Sequence, residues 1–283
     1  RGLRARAGEI GEVLGHVGSM RERTRSRLRR LSLVRADRSP PVPPTTLPGR
    51  TLAEEVLVVL SLSLLASAVD AVISLFEAPI AGVVVASVSQ STMLAKQLAG
   101  VVFGTAPAWL VWYLVRRSGE GGAGIGLALD RPRRDLAAGA VLAAVVGLAG
   151  IGVYLGAVAL GVNRFVVPVP PTGRWWTVPV LVLRALEAGL VEETVAVAYL
   201  VTRLQQLRAT PAAAVGASAL LRGAYHLYQG FGGFFGNLAM GALFGALFVR
   251  TRRAWPLVAA HVLLDVGAGL GYLALRGRLP GLV

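Results

Sequence analysis

The chain has 283 residues, of which 54% are hydrophobic and only 16% are charged. Soluble domains carry about 25% charged residues, so these charges are too few to cover a soluble surface, and we expect a lipid bilayer around the protein. The net charge is +14, but the arginines cluster in the N-terminal tail and at the ends of apolar runs, so we expect no nucleic-acid partner. The chain has no cysteine, which excludes disulfides and thiolate metal sites.

The N-terminal part of the chain differs in composition from the rest. Residues 1–50 predict a basic cytoplasmic tail and a proline-rich linker, Ser39–Pro48. The arginine-rich tail is either solvated or bound to anionic lipid headgroups. Residues 51–283 predict a membrane helix bundle, which begins where Thr51 precedes Glu54 and Glu55 in a pattern typical of a helix start.

The apolar runs predict an all-α, polytopic transmembrane bundle of about seven spans. A span needs about 20 apolar residues, and these runs lack the alternation of a β-strand. The segment Glu77–Gln90 is shorter and rich in serine, and we interpret it as a loop or a re-entrant piece. The predicted spans are Val56–Phe76, Leu98–Val115, Leu136–Leu160, Trp175–Val201, Pro211–Tyr228, Phe231–Val249 and Trp255–Leu275.

The arginines between the spans predict the orientation of the chain. Loops on the cytoplasmic side of a membrane carry an excess of Lys and Arg. That rule predicts a cytoplasmic N-terminus, an external C-terminus and a position in the cell (plasma) membrane. The arginines assigned to the cytoplasmic side include Arg116, Arg117, Arg131, Arg133, Arg134, Arg203, Arg208, Arg250, Arg252 and Arg253.

Titratable residues inside the fourth, fifth and seventh predicted spans need an explanation. A charge at a helix centre costs about 2.5–3.5 kcal/mol in a bilayer. Glu192 and Glu193 are about 100° apart on a helix, so one can face a cavity while the other faces a neighbouring helix. His261 and Asp265 are four residues apart and share a helix face. His226 lies on the fifth span.

Each of these patterns also has a structural interpretation. The paired glutamates can form an ion pair with Arg222 or Arg184, and His261 with Asp265 can link helices by hydrogen bonds. In the functional interpretation, one glutamate is a general base in a dry site. The residues alone leave both interpretations open.

In this order and spacing the residues resemble the CPBP intramembrane proteases, the family of CAAX proteases and bacteriocin-processing enzymes also called ABI. Its motifs are Glu-Glu-x-x-x-Arg, then Phe-x-x-x-His, then His-x-x-x-Asn or His-x-x-x-Asp, each on its own helix. The resemblance covers roughly residues 175–275, which we take as a CPBP-like catalytic core. The matching residues are Glu192 and Glu193 in the first motif, His226 in the second, and His261 and Asp265 in the third.

Two positions depart from these motifs. Val197 stands where the first motif has arginine, and Arg222 stands where the second has phenylalanine. A buried acid left without its partner would cost about 3–5 kcal/mol. We hypothesise that Arg222 has taken over the pairing of the motif arginine, with Glu193 as its partner.

The resemblance implies an intramembrane peptidase that hydrolyses a peptide bond in a membrane-associated protein or peptide. It implies that Glu192 and His226 activate a water, and that His261 and Asp265 stabilise the oxyanion. Whether the protein binds Zn²⁺ or another divalent metal as a cofactor stays open. If one is bound, its ligands would be Glu192, His226 and His261. The spacing differs from the H-E-x-x-H signature.

Three other functions stay open on the sequence. Val197 favours a catalytically inactive CPBP-like scaffold or immunity protein. The same acids and histidines suit a proton relay in a proton-coupled transporter. The third alternative is a membrane enzyme that acts on a small molecule.

Overall fold

The computed structural model describes residues 40–73, 90–159 and 174–275. The predicted basic tail up to residue 39, the segment 77–89 and the last eight positions, 276–283, lie outside these ranges. Within the described ranges every regular element is helical. The predicted all-α class is therefore confirmed there.

Eleven α-helices are described in these ranges. A π-helical turn, Glu193–Tyr199, connects α7 to α8, and a short 3₁₀ turn, Leu227–Gln229, follows α9. The helices are α1 Gly49–Ser61, α2 Leu64–Ile73, α3 Gln90–Gly104, α4 Ala106–Arg117, α5 Gly121–Gly124, α6 Pro132–Ala159, α7 Thr177–Glu192, α8 Leu200–Gln206, α9 Pro211–Tyr225, α10 Phe231–Thr251 and α11 Trp255–Leu275.

The described part of the chain contains fewer candidate membrane spans than the seven predicted. In the described part of the chain, four segments are long and apolar enough to cross a bilayer, and α1 with α2, bent by 49° at their junction, would make a fifth. The described ranges therefore show four or five candidate spans, and the predicted seven are not shown. The four segments are Met93–Arg117, Pro132–Gly152, Phe231–Thr251 and Trp255–Ala274.

The predicted fourth and fifth spans are not among these candidate segments, for different physical reasons. Helix α9 has 15 residues, so it is about 22 Å long at 1.5 Å per residue, which is less than the roughly 30 Å of a hydrocarbon core. The predicted fourth span is helical from Thr177 to Gln206. However, α7 carries Arg184, Glu187 and Glu192, so its composition is more polar than that of a simple span.

The packing of the helices is centred on the π-helical turn, whose seven residues are all buried. Helix α9 packs on α10 and α2, and α11 packs on α6 and α7. Gly189 permits the close approach of α7 and α11, because a Cβ there would lie 2.8 Å from Val262. Small residues commonly serve this purpose between membrane helices. The close approach brings the last turns of α7 against α11.

One end of the bundle is held by polar contacts. Glu120 accepts hydrogen bonds from Arg203 at 2.6 Å and from Gln206 at 2.9 Å, and Gln206 also donates to the carbonyl of Pro43 at 3.1 Å. Arg253 pairs with an acid at the start of α6. These residues belong to the same set of loops that the arginine distribution assigns to the cytoplasmic side.

Candidate active site

Three elements bring the candidate site residues together. The end of α7 and the π-helical turn that follows it carry the paired glutamates. The end of α9 carries an arginine and a histidine, and α11 carries a histidine and an aspartate. Every predicted site residue lies in the described ranges. In chain order they are Glu192 and Glu193, then Arg222 and His226, then His261 and Asp265.

A single guanidinium contacts both glutamates. Nη2 of Arg222 lies 2.5 Å from Oε1 of Glu193 and 3.3 Å from Oε2 of Glu192. The Arg222 side chain is 1% exposed, and its guanidinium also lies 5.4 Å from the centre of the Phe244 ring. Arg222 therefore supplies the buried positive charge against Glu193 that the hypothesis from the sequence requires.

The motif position without arginine has different surroundings. Val197 is 1% exposed and belongs to the apolar core around the π-helical turn. The other arginine considered from the sequence, Arg184, pairs with Glu187 at 3.3 Å. Of the two candidate partners for the paired glutamates, the structure therefore places Arg222 against them.

The two glutamates differ in accessibility. The Glu193 side chain is 0% exposed, and its Oε1 lies between Arg222 and Nδ1 of His261, which is 2.7 Å away. The Glu192 side chain is 16% exposed. A molecule that enters the site can thus reach Glu192, while Glu193 stays enclosed by its own partners.

Sequence reasoning did not identify Tyr225, which contacts Glu192. Its hydroxyl donates to Oε2 of Glu192 at 2.6 Å, and the residue is buried. The available signal is its position three residues after Arg222, which puts both side chains on one face of α9. No motif position of the resembled family points to it.

His226 is the C-cap residue of α9, directly after the last helical residue. Its Nδ1 lies 3.0 Å from the carbonyl oxygen of Arg222. Because a carbonyl oxygen only accepts, Nδ1 carries the hydrogen in this contact, and in the neutral imidazole Nε2 then keeps a lone pair. The ring centre lies 4.7 Å from that of Tyr225. His226 therefore has a nitrogen that can accept a proton or a hydrogen bond.

His261 lies between two carboxylates. Its Nδ1 contacts Glu193 at 2.7 Å, and its Nε2 lies 3.5 Å from Oδ2 of Asp265. His261 is buried, whereas the Asp265 side chain is 42% exposed. The predicted proximity of these two residues on one helix face is present, with Asp265 on the more open side.

The proposed metal ligands do not fit a metal ion in this arrangement. The ligand set Glu192, His226 and His261 stays a prediction, and within the described ranges no three His, Asp or Glu side chains are grouped to hold a metal ion as they stand. The reason is the Arg222 guanidinium, which lies against both glutamates and 2.9 Å from Nδ1 of His261. A cation is already present at the centre of these donors.

Residues 174–267 match the family described as Rce1-like, type II CAAX prenyl endopeptidase. This segment is a CPBP-family domain. The match covers about a third of the chain and contains all the candidate site residues. No curated protein and no solved structure matches the chain.

The resemblance noted from the motifs is thus confirmed, and the CPBP domain belongs to a family of intramembrane proteases. Membership in this family implies protein or peptide substrates. The match begins before α7 and ends within α11. It therefore spans the three elements that meet at the candidate site.

Proposed function

We propose that the CPBP domain hydrolyses a peptide bond in a membrane-associated protein or peptide, with Glu192 as the general base. The observation that supports this assignment is the difference between the paired acids: Glu192 is reachable, and Glu193 is enclosed by Arg222 and His261. A general base must lie within reach of the proton that it removes. Glu192 meets that condition better than Glu193 does.

In the proposed reaction, a water is held between the Glu192 carboxylate and Nε2 of His226. Glu192 takes a proton from the water, whose oxygen attacks the carbonyl carbon of the scissile bond. The same proton then passes to the nitrogen of the leaving amine as the carbon–nitrogen bond breaks. Water activation is assigned to these two side chains, and no step uses a metal ion.

His261 and Asp265 are assigned to stabilise the oxyanion that develops during the attack. A hydrogen bond donor aimed at the oxyanion typically contributes about 2.7–4 kcal/mol to catalysis. Asp265 can donate only when protonated, so His261, protonated between Glu193 and Asp265, is the better donor. Asp265 then stabilises the charge on His261.

The first test is peptide cleavage by the full chain in lipid vesicles. The substrates are fluorogenic, lipid-anchored peptides, including prenylated peptides with a CAAX end. Glu192→Gln should lower the rate at least a hundredfold, which is the lower range for loss of a general base. Glu54→Gln is the matched control, because Glu54 is exposed on α1 and pairs only with its neighbour Arg50 in the described contacts.

Equal cleavage by the parent protein and Glu192→Gln would overturn the assignment of the base. Cleavage that continues in a strong chelator is expected, because no step depends on a metal. The alternative of an inactive scaffold is favoured by one observation, the apolar Val197 at the motif arginine position. That alternative predicts no cleavage of any peptide in the panel by the parent protein.

A further inference from the structure

Tyr225 makes the shortest described contact with the proposed base. It is the last residue of α9, and its hydroxyl donates to Oε2 of Glu192 at 2.6 Å. Arg222, one turn earlier on the same helix, approaches the same oxygen at 3.3 Å. Helix α9 thus directs two donors to Oε2 of the Glu192 carboxylate. None of the described hydrogen bonds uses Oε1, so this oxygen is available to another partner.

This arrangement has a consequence for the orientation of the carboxylate. The last torsion of a glutamate side chain is broad, so a carboxylate without fixed partners presents either oxygen in turn. Hydrogen bonds to a charged group are stronger than those between neutral groups. Two donors on Oε2 therefore fix the plane of the Glu192 carboxylate and select Oε1 as the oxygen that faces an incoming molecule.

The side chain of Tyr225 is suited to this task because it is held in place. The residue is 6% exposed, and its ring centre lies 4.7 Å from that of His226 at a 40° angle. A phenol also has few torsions compared with a long polar side chain. Its hydroxyl therefore stays at Glu192, while its ring restricts the imidazole that is assigned to the same water.

We propose that Tyr225 is a positioning residue, which holds Oε2 of Glu192 so that Oε1 meets the water beside His226. The proposal rests on the proposed function, in which Glu192 is the general base. Tyr225 acts through Glu192 and makes no contact with the substrate. Its loss should then change the rate of the chemical step and leave substrate binding unchanged.

The kinetic test uses Tyr225→Phe in the full chain in lipid vesicles, with a cleaved peptide from the fluorogenic panel. We expect kcat to fall about tenfold or more, from the loss of a hydrogen bond to a charged group, and KM to stay within about twofold. Tyr228→Phe is the matched control, because its hydroxyl bonds to Gln229 and the side chain is largely outside the core. Unchanged kcat in Tyr225→Phe, or an equal loss in Tyr228→Phe, would overturn the proposal.

A second measurement does not depend on activity. The infrared difference spectrum between the parent protein and Glu192→Gln isolates the carboxylate bands of Glu192. In the Tyr225→Phe background the same subtraction should give a shifted band, because the phenol no longer donates to the carboxylate. An unshifted band would overturn the assigned hydrogen bond.

The two measurements separate the two proposals. If the parent protein cleaves no peptide and the band still shifts, the assigned catalytic function fails while the contact of Tyr225 with Glu192 stands. If Glu192→Gln abolishes cleavage while Tyr225→Phe changes neither kcat nor the band, the base assignment stands and the positioning role of Tyr225 is rejected.

Discussion

Arg222 contacts three of the titratable side chains of the candidate site: Glu192, Glu193 and His261. Isolated charges are costly in a membrane protein interior, so the two adjacent acids require such a partner. A buried pair is not in itself a source of stability, but removal of one partner is strongly destabilising. The stability of this site therefore depends on Arg222 more than on the motif position, Val197.

We expect Arg222→Ala to lower the free energy of unfolding by about 3–5 kcal/mol, because it leaves Glu193 buried and unpaired. Val197→Ala removes only methyl groups from the apolar core and should cost about 2 kcal/mol or less. Thermal unfolding in detergent compares the two variants. Similar, small shifts for both would contradict the role given to Arg222. The double variant Arg222→Ala with Glu193→Gln should recover part of the loss, since it removes the uncompensated charge.

The elements around the site are joined by contacts that fix their relative positions. The π-helical turn carries Glu193 at its first position, and Ser218 of α9 donates to the carbonyl of Ala196 within that turn at 2.7 Å. Single π-helical turns occur often at functional sites. At the other end of α8, Arg203 and Gln206 bind Glu120 in the turn that follows α4.

The contact of Glu120 with α8 predicts a pH dependence of stability. Burial by itself raises the pKa of Glu120, but hydrogen bonds from Arg203 and Gln206 outweigh burial and hold the pKa below its ordinary value of 4.5. A carboxyl with a lowered pKa in the folded state contributes stability above its ordinary pKa. That contribution is lost as the pH falls through the lowered value.

The expected outcome is that unfolding temperatures of the parent protein drop as the pH falls below about 4.5. Glu120→Gln should be less stable near neutral pH and should show a smaller drop in acid. Thermal melts between pH 7 and pH 3 give the unfolding temperatures of the parent protein and of Glu120→Gln. Parallel curves over that range would show that the Glu120 contact does not contribute to stability.

At the scale of the whole molecule, the polar contacts and the arginines point to the same end of the bundle. The turns around Glu120 and Arg253 and the linker at Pro43 all meet there. The positive-inside rule places such an end in the cytoplasm, and we propose that orientation for the chain. Arg174 lies just before the continuous helical segment 177–206, whose last residues belong to this polar cluster.

Because the chain has no cysteine, single cysteines test this orientation directly. Arg131→Cys, on the exposed turn before α6, should react with a membrane-impermeant thiol reagent only from the cytoplasmic side. Arg174→Cys, which is exposed before α7, should react only from the outside of intact cells. Labelling of both positions from one side would reject the proposed orientation.

The sequence by itself determined the membrane class, the helical fold and the family of the domain at residues 174–267, because hydropathy, helix periodicity and motif spacing are local properties of the chain. The closeness of His261 and Asp265 also follows from spacing on one helix. The tertiary structure alone decided that Arg222, and not Arg184, meets the paired acids, and that Tyr225 contacts Glu192. It also decided that α9 ends at the site after 15 residues. These features depend on which helix faces meet, and the order of residues along one helix does not specify the neighbour that it packs against.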